Sequence, residues 1–407
     1  MITSALVRVP SLNTRNVARV GLVALLLALG ACHHDGHSND AGNSGGNSTP
    51  PTPTTHTLGG TVTGLTVNGL VLLNNDGDAV TLNAGATSFT MPTAVANGAN
   101  YAITVGTQPY GIGVACTASN NTGVASADVT NVAITCAAVT PTQSTLLTAT
   151  QSGQLLSVIG VAVDSNGNVF SGRGDQAVVK IAYANGAYAT SPTVLFTLSG
   201  STIQNIALDA ADNLFVANDP VYMARPGDGY LSHTAIGPAA GYFNGAPYAV
   251  AADQAGNVFV ASSAMMTGTI TEIPRAGGAY NTAPVTIYNG SSNATSIAFD
   301  ASGNLFFSDV NDGSVKKLQN TNGVYASSPT TIATGLTYSA YIVIDANGNI
   351  FVADFLSGGV YEVPYSNGSY GSLALIASGF NSPRSLALDR DGRLYVADGI
   401  GIHKLTP

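Results

Sequence analysis

Few side chains in this 407-residue chain are of types that catalyse reactions. It has two glutamates, Glu272 and Glu362, at equivalent positions of a repeated unit, on strands where we expect them to face outward. Of the six histidines, His233 and His403 fall within the same repeats. Three-histidine or histidine–glutamate metal sites cannot be assembled from this set, and no base or free thiol is available for serine or cysteine catalysis. We therefore predict no catalytic residue, no metal and no cofactor.

Two motif-like strings lie in residues 33–56, and neither is assigned a function. His33, His34 and His37 could bind a metal ion, but this stretch has no apolar residue larger than alanine and is typical of a flexible tether. Residues 42–46 match G-x-S-x-G, yet a nucleophile elbow needs a strand before it and a helix after it.

The charge balance excludes one class of partner. Charged residues make up 9% of the chain and the net charge is -9. Binding to nucleic acid depends on clustered Lys and Arg that release counterions. We therefore expect no nucleic acid partner.

The most regular feature is an aspartate that recurs six times, each time ahead of a DxxGN-like turn. The six residues are Asp164, Asp209, Asp253, Asp300, Asp345 and Asp389. Asp accepts hydrogen bonds from turn backbone and Gly or Asn takes the positive φ, whereas an EF-hand needs a run of oxygen ligands ending in Glu. We interpret the motif as a turn between two strands, followed by two further strands in each unit.

Such four-stranded units predict a radial array. The last unit has three strands, and residues 144–149 read like the missing fourth strand, so pairing the two would close a ring of six blades. Residues 57–138 alternate apolar and polar positions between short turns, which indicates a small β-sandwich. The predicted fold class is all-β, a six-bladed β-propeller preceded by a β-sandwich.

A second polar set ends the second strand of several blades: Asp309, Asp354 and Asp398, with Asn218. These side chains could ring the mouth of the channel, or they could close loops. The sequence leaves both alternatives open.

The repeat motif resembles the NHL repeat over residues 144–407, and residues 57–138 resemble an immunoglobulin-like module of bacterial surface proteins. Arg15 and Arg19 precede an apolar run from Val20 to Ala31, too short for the roughly 20 residues of a membrane span. The end of that run, LGAC, resembles the lipobox of bacterial lipoproteins. This implies a signal peptide at 1–31, a lipid on Cys32 and a tether at 32–56.

The lipobox resemblance also bears on the remaining cysteines. With Cys32 lipidated, Cys116 and Cys136 are left as a disulfide pair in an exported protein. We expect a cell-envelope protein held to the membrane through Cys32, in the outer membrane if the host has one.

The poor inventory of catalytic residues favours a non-catalytic binding or scaffolding propeller with a protein or glycan ligand. The alternative is an enzyme of the lactonase or lyase kind, with a metal at the channel mouth. For the binding function we predict one face of aromatic, methionine and arginine side chains: Arg173, Tyr222, Tyr242, Phe243, Tyr248, Met265, Met266, Tyr338, Tyr341, Phe355, Phe380 and Arg384.

Overall fold

The computed structural model describes residues 54–109, 112–148, 158–199, 202–243, 245–264, 267–290, 293–366 and 368–407. The predicted signal peptide, Cys32 and the tether up to residue 53 lie outside the described residues. No helix in the described ranges is long and apolar enough to span a membrane.

Two four-stranded sheets and a short two-stranded ladder form the first part. The strands are β1 (Thr55–His56), β2 (Leu58–Thr63), β3 (Leu70–Asn74), β4 (Asp78–Leu82), β5 (Ser88–Thr90), β6 (Val95–Ala96), β7 (Asn100–Thr107), β8 (Val114–Ser119), β9 (Thr122–Val124) and β10 (Val129–Ala138). One sheet has the order β5-β2-β10-β8 and the other β4-β3-β7-β9, with β1 paired to β6. Strands β2 and β10 run parallel, and the other pairs are antiparallel.

The inward-facing residues of both sheets form one apolar cluster, in which Leu58, Leu70, Leu72, Ile103 and Val132 are inaccessible to solvent. Cys116 and Cys136 lie opposite each other on β8 and β10 and form a disulfide. The predicted pairing is confirmed, and it joins neighbouring strands of one sheet.

Six four-stranded antiparallel sheets follow, which confirms the predicted all-β propeller fold. After β11 (Thr142–Thr148), blade one has β12 (Val158–Val163), β13 (Val169–Arg173), β14 (Ala177–Ile181), β15 (Tyr183–Ala184), β16 (Ala187–Tyr188) and β17 (Thr193–Thr197). Blade two has β18 (Asn205–Leu208), β19 (Leu214–Ala217), β20 (Val221–Ala224), a 3-10 turn at Pro226–Asp228 and β21 (His233–Ile236). Blade three has β22 (Ala246–Ala252), β23 (Val258–Ala264), β24 (Thr267–Ile273), β25 (Arg275–Ala276), β26 (Ala279–Tyr280) and β27 (Val285–Gly290).

Blade four has β28 (Ala294–Phe299), β29 (Leu305–Asp309), β30 (Ser314–Leu318), β31 (Asn320–Thr321), β32 (Val324–Tyr325) and β33 (Thr330–Ala333). Blade five has β34 (Ser339–Ile344), β35 (Ile350–Asp354), β36 (Gly359–Val363), β37 (Tyr365–Ser366), β38 (Ser369–Tyr370) and β39 (Ala374–Ser378). Blade six has β40 (Ser385–Leu388), β41 (Leu394–Ala397) and β42 (Gly401–Thr406), and its fourth strand is β11. Strand β11 therefore closes the ring.

The repeated aspartate holds the turn between the first two strands of each blade. In blade four, Oδ1 of Asp300 accepts hydrogen bonds from the backbone of Ser302 and Asn304, and Oδ2 accepts one from Nδ2 of Asn304. Gly303 takes φ +74, which a β-carbon would strain. The amide oxygen of Asn304 then accepts a hydrogen bond from the backbone of Asn320 at 2.9 Å. The motif thus fixes both its own turn and the small hairpin β31–β32.

A tyrosine carried between the third and fourth strands of a blade covers the side of the preceding blade. The rings of Tyr280 and Phe215 lie 6.1 Å apart, those of Tyr325 and Phe259 5.8 Å, and those of Tyr370 and Phe306 5.9 Å. The corresponding pairs at the other covered junctions are Tyr230 with Phe170 and Tyr188 with Tyr395. These tyrosines seal five of the six junctions between blades.

Candidate functional site

The predicted ligand-binding face is divided between exposed and buried positions. Its members fall into four groups: exposed Tyr242, Tyr248, Tyr338 and Arg384; half-buried Tyr222 and Phe355; buried Arg173, Phe243, Tyr341 and Phe380; and Met265 and Met266, outside the described residues. The side chains of the buried group are not presented to solvent. One compact cluster remains, in which the Phe355 ring lies 5.6 Å from the Tyr338 ring and 5.2 Å from the Arg384 guanidinium.

Among the described residues that line the central channel there is no carboxylate, histidine or lysine. Its cavity of 280 Å³ is lined by the first strands of the six blades, mainly by Val, Ala, Ile, Leu and Phe. One polar network lies at this level: the Tyr341 hydroxyl donates to Oδ1 of Asn205 at 2.8 Å, and Nδ2 of Asn205 lies 3.4 Å from Ser385 Oγ. Burial raises the pKa of Tyr341 well above its ordinary range. The network holds blades together across the channel.

The second polar set closes loops. Asp309, Asp354 and Asp398 are each buried, and their carboxylates accept backbone hydrogen bonds from the loop that enters the same blade. In Asp354, burial raises the pKa, but hydrogen bonds from Thr337 and Tyr338 outweigh it and leave the pKa below its usual value.

A metal at the channel mouth does not fit these residues. The carboxylate oxygens of the second polar set are already bound by backbone amides, and Asp309 also pairs with Lys316. Among the described residues, no three His, Cys, Asp or Glu side chains converge on a point where a metal could bind. No chemical step is therefore assigned to a metal.

One blade junction, between blades five and six, differs from the others. The third and fourth strands of blade six, β42 and β11, are not consecutive in the chain, so no hairpin connects them to place a tyrosine over Phe351. Ile112 from the sandwich takes that place, fully buried in the cluster that contains Phe351, Val360 and Leu405. The sandwich thus covers the open junction with a smaller side chain.

Two cavities remain beside Ile112, between sandwich and propeller. The larger, of 840 Å³, is bounded by residues 65–68, 84–85 and 113–114 of the sandwich and by residues around Asn347 and Tyr365 of blade five. The smaller, of 560 Å³, is bounded by residues 139–141, Gln143 and the outer strand β39. Both have the size of ligand pockets. Glu362 lines both cavities, and we refer to the pair as the interdomain cleft.

Glu362 is placed in the cleft by the strand pattern of blade five. Glu362 lies on β36, paired with Phe351 on β35. Its side chain is on the same face of the sheet as Val360, the face that packs towards blade six. At the same position of other blades, Lys180 and Lys404 lie over the covering tyrosine of the next blade. The prediction that Glu362 merely faces outward is corrected, since the missing hairpin turns this position into a cavity wall.

The surroundings of Glu362 favour its protonated form. Burial raises its pKa from 4.5 to about 7, and the nearby carboxylate of Asp345 adds to the effect. Among the described residues no side chain or backbone group hydrogen-bonds to Glu362. A carboxyl with a pKa near neutrality can both take and return a proton, which is the requirement for general acid–base catalysis.

Asparagines form the wall next to Glu362. The carboxylate of Asp345 accepts hydrogen bonds from Asn347 and Asn349 of its own turn. Burial raises the pKa of Asp345. Nδ2 of Asn68, on the sandwich, donates to Oδ1 of Asn347 at 2.9 Å, which ties the two walls together. Nδ2 of Asn347 is buried and makes no hydrogen bond of good geometry, although it lies close enough to Asp345 to lower the pKa of that carboxyl slightly. Unpaired buried donors are rare in folded proteins, so this one needs an explanation.

A buried cluster of polar side chains lies on blade six. His403 is buried, with Nε2 3.2 Å from Oδ2 of Asp398 and Nδ1 3.1 Å from both Gln143 Nε2 and Thr145 Oγ1. The contacts of His403 with Gln143 and Thr145 hold β11 onto β42 and thereby close the ring.

The comparisons with known proteins concern structure alone. No family model and no curated protein sequence matches the chain. A solved protein of unknown function from Bacteroides thetaiotaomicron has a TM-score of 0.56 at 14% identity and covers 88% of this chain and 99% of its own. A gluconolactonase from Xanthomonas campestris has a TM-score of 0.51 at 12% identity, covering 65% of this chain and 89% of its own. A luciferin-regenerating enzyme has a TM-score of 0.52 at 14% identity, covering 66% and 95%.

These neighbours bear on the expected function. Two of the three are named as enzymes, so the fold of this chain is one that enzymes use. The prediction of a non-catalytic binding or scaffolding propeller is thereby corrected, and the enzyme alternative is favoured. The sequence did hold a signal for the site. The last repeat reads DRDGR where the others have an asparagine as the final residue, and in four of those blades this asparagine holds the hairpin, as Asn349 does for Tyr365.

Proposed function

We propose that the protein is a hydrolase for esters or lactones, with Glu362 as the general acid–base group of the interdomain cleft. The observation that carries this proposal is a carboxyl without hydrogen-bond partners that lines two cavities at the one junction without a covering tyrosine. The neighbour named as a gluconolactonase supports a lactone or ester as the substrate class.

The chemistry assigned to Glu362 is proton transfer. In its ionised form it takes a proton from a water molecule while the water oxygen bonds to the carbonyl carbon. In its protonated form it returns that proton to the alcohol oxygen as the carbon–oxygen bond breaks. A pKa of about 7 leaves both forms populated at neutral pH, and positioned groups of this kind contribute about 10²–10⁴-fold in rate.

One free carboxyl suits an ester better than a glycoside. Glycosidases commonly use two carboxyl groups on opposite sides of the bond that is cleaved. Asp345, the neighbouring acid, has both oxygens bound within its own turn, so it is not available as a partner.

The test is hydrolysis of a panel of lactones and aryl esters by the purified protein and two variants. Glu362→Gln should lose at least about 100-fold in kcat/KM. Glu272→Gln, at the equivalent position of blade three, should retain wild-type activity. Equal activity of Glu362→Gln and wild type on every substrate that wild type cleaves would refute the assignment.

We further propose that this enzyme is an exported NHL-type lipoprotein of the outer membrane, anchored through Cys32, with an immunoglobulin-like sandwich. The LGAC string and the Cys116–Cys136 disulfide support this, since disulfides persist in oxidising compartments. Cys32→Ser should move the protein from the membrane fraction to the soluble fraction. A variant that stays in the membrane fraction would contradict the anchor.

A further inference from the structure

We propose that the interdomain cleft binds an uncharged oligosaccharide, whose O-acyl ester lies at Glu362. This inference rests on the hydrolase proposed above and names its substrate class. It draws on the shape of the cleft, on its charge and on the polar groups in its wall.

The shape of the cleft indicates an extended ligand. Glu362 and Gly113 line both cavities, so the two cavities lie next to each other on either side of the acid–base group. The larger cavity extends between Asn68 and Tyr365, and the smaller extends along β39. A short ligand would fill one cavity only, whereas a chain of several units would occupy both and place a bond at Glu362.

The charge of the cleft excludes anionic ligands. Among the described residues that line the two cavities there is no Lys, Arg or His, and Glu362 is the only charged side chain. A phosphate or carboxylate ligand would lie beside Glu362 and Asp345 without a compensating cation. The ligand is therefore uncharged where it meets Glu362.

The polar groups of the wall fit hydroxyl groups. The buried Nδ2 of Asn347 makes no hydrogen bond of good geometry, and a ligand oxygen is a group that satisfies it. Thr66 and Ser366 also line the cleft, and Tyr365, 36% exposed, adds an aromatic ring with a polar tip. A sugar ring presents both hydroxyls and an apolar face, so it matches this combination.

The reaction balances without a further reactant. Water adds its oxygen to the acyl carbon, and the bond from that carbon to the sugar oxygen breaks. Glu362 takes the water proton and delivers it to the sugar oxygen. The products are a free carboxylic acid and a free hydroxyl on the oligosaccharide.

The experiment is isothermal titration of Glu362→Gln, which keeps the shape of the site but cannot turn the ester over. The probes are neutral xylo-, cello-, manno- and N-acetylchito-tetrasaccharides, the corresponding monosaccharides, and tetragalacturonate as the anionic control. At least one neutral tetrasaccharide should bind at least ten-fold more tightly than its monosaccharide, and tetragalacturonate should not bind. Absence of binding by all four, or equal binding of monomer and tetramer, would overturn the proposal.

Two further variants locate the binding. Adding Tyr365→Ala to Glu362→Gln should weaken tetrasaccharide binding at least ten-fold. Adding Tyr183→Ala, at the equivalent hairpin position of blade one, should leave it unchanged. Binding that survives Tyr365→Ala at full strength would refute this site. If tetrasaccharides bind but the wild type cleaves no ester, the proposed hydrolase activity is refuted and the oligosaccharide site is supported. If esters are cleaved but no oligosaccharide binds, the oligosaccharide site is refuted and the hydrolase activity is supported.

Discussion

Glu362→Gln should change stability in a pH-dependent manner. The pKa of Glu362 is raised from 4.5 to about 7 by burial and by Asp345. Between these two pH values the folded protein keeps the proton while the unfolded chain releases it. The stability of the wild type relative to the variant therefore falls as pH rises through this window, and it is constant below and above it. The separation of the two pKa values corresponds to about 3 kcal/mol, since one pH unit is worth about 1.4 kcal/mol.

The assay is urea unfolding of wild type and variant at pH values from 4 to 9. The difference in unfolding free energy between the two proteins removes the contribution of every other titrating group, because both proteins share those groups. We expect this difference to shift by about 3 kcal/mol in favour of the variant between pH 4.5 and pH 7. Burial also raises the pKa of Glu272, so the difference in unfolding free energy between wild type and Glu272→Gln should shift in the same direction. A difference for Glu362→Gln that stays constant across the window would refute the half-buried, unpaired state of this carboxyl.

Three further predictions concern the scaffold, each measured by urea unfolding at pH 7. Replacing both Cys116 and Cys136 by alanine should cost about 3 kcal/mol, because their disulfide closes a loop with a sequence separation of 20 residues; no loss would contradict the bond. Ile112→Ala should cost about 2–5 kcal/mol, whereas Val124→Ala, on an exposed sandwich position, should change stability by under about 0.5 kcal/mol; equal effects would show that Ile112 is not part of the propeller core. Asp300→Ala should cost about 1–3 kcal/mol, because it leaves the turn amides of blade four without an acceptor; an unchanged midpoint would argue against this role of the motif.

The architecture could be predicted from local rules. The period of the aspartates, the alternation of apolar residues and the turn chemistry act over short stretches. The six copies of Asp300 and the five copies of Asn304 therefore predict the same turn in each repeat. The last repeat has one strand fewer than the others, so the sequence predicted that the strand containing Ser144 and Thr145 completes blade six and closes the ring. The burial of Arg173, Phe243, Tyr341 and Phe380 did not follow, because whether an aromatic or cationic side chain faces solvent depends on packing between blades, which one repeat cannot show.

The cleft could not be predicted from any single repeat, because it arises from a break in the repetition. A ring closed by a strand from elsewhere in the chain has one blade whose third and fourth strands are not joined, so one junction loses its covering tyrosine. A side chain that elsewhere contacts a tyrosine, as Lys404 contacts Tyr188, then lies against open space. The neighbouring sandwich fills that space only in part, with Ile112, and leaves two cavities. At this position the repeat carries Glu362 and no cation, so the same topological step that closes the propeller also leaves a half-buried carboxyl without a hydrogen-bond partner.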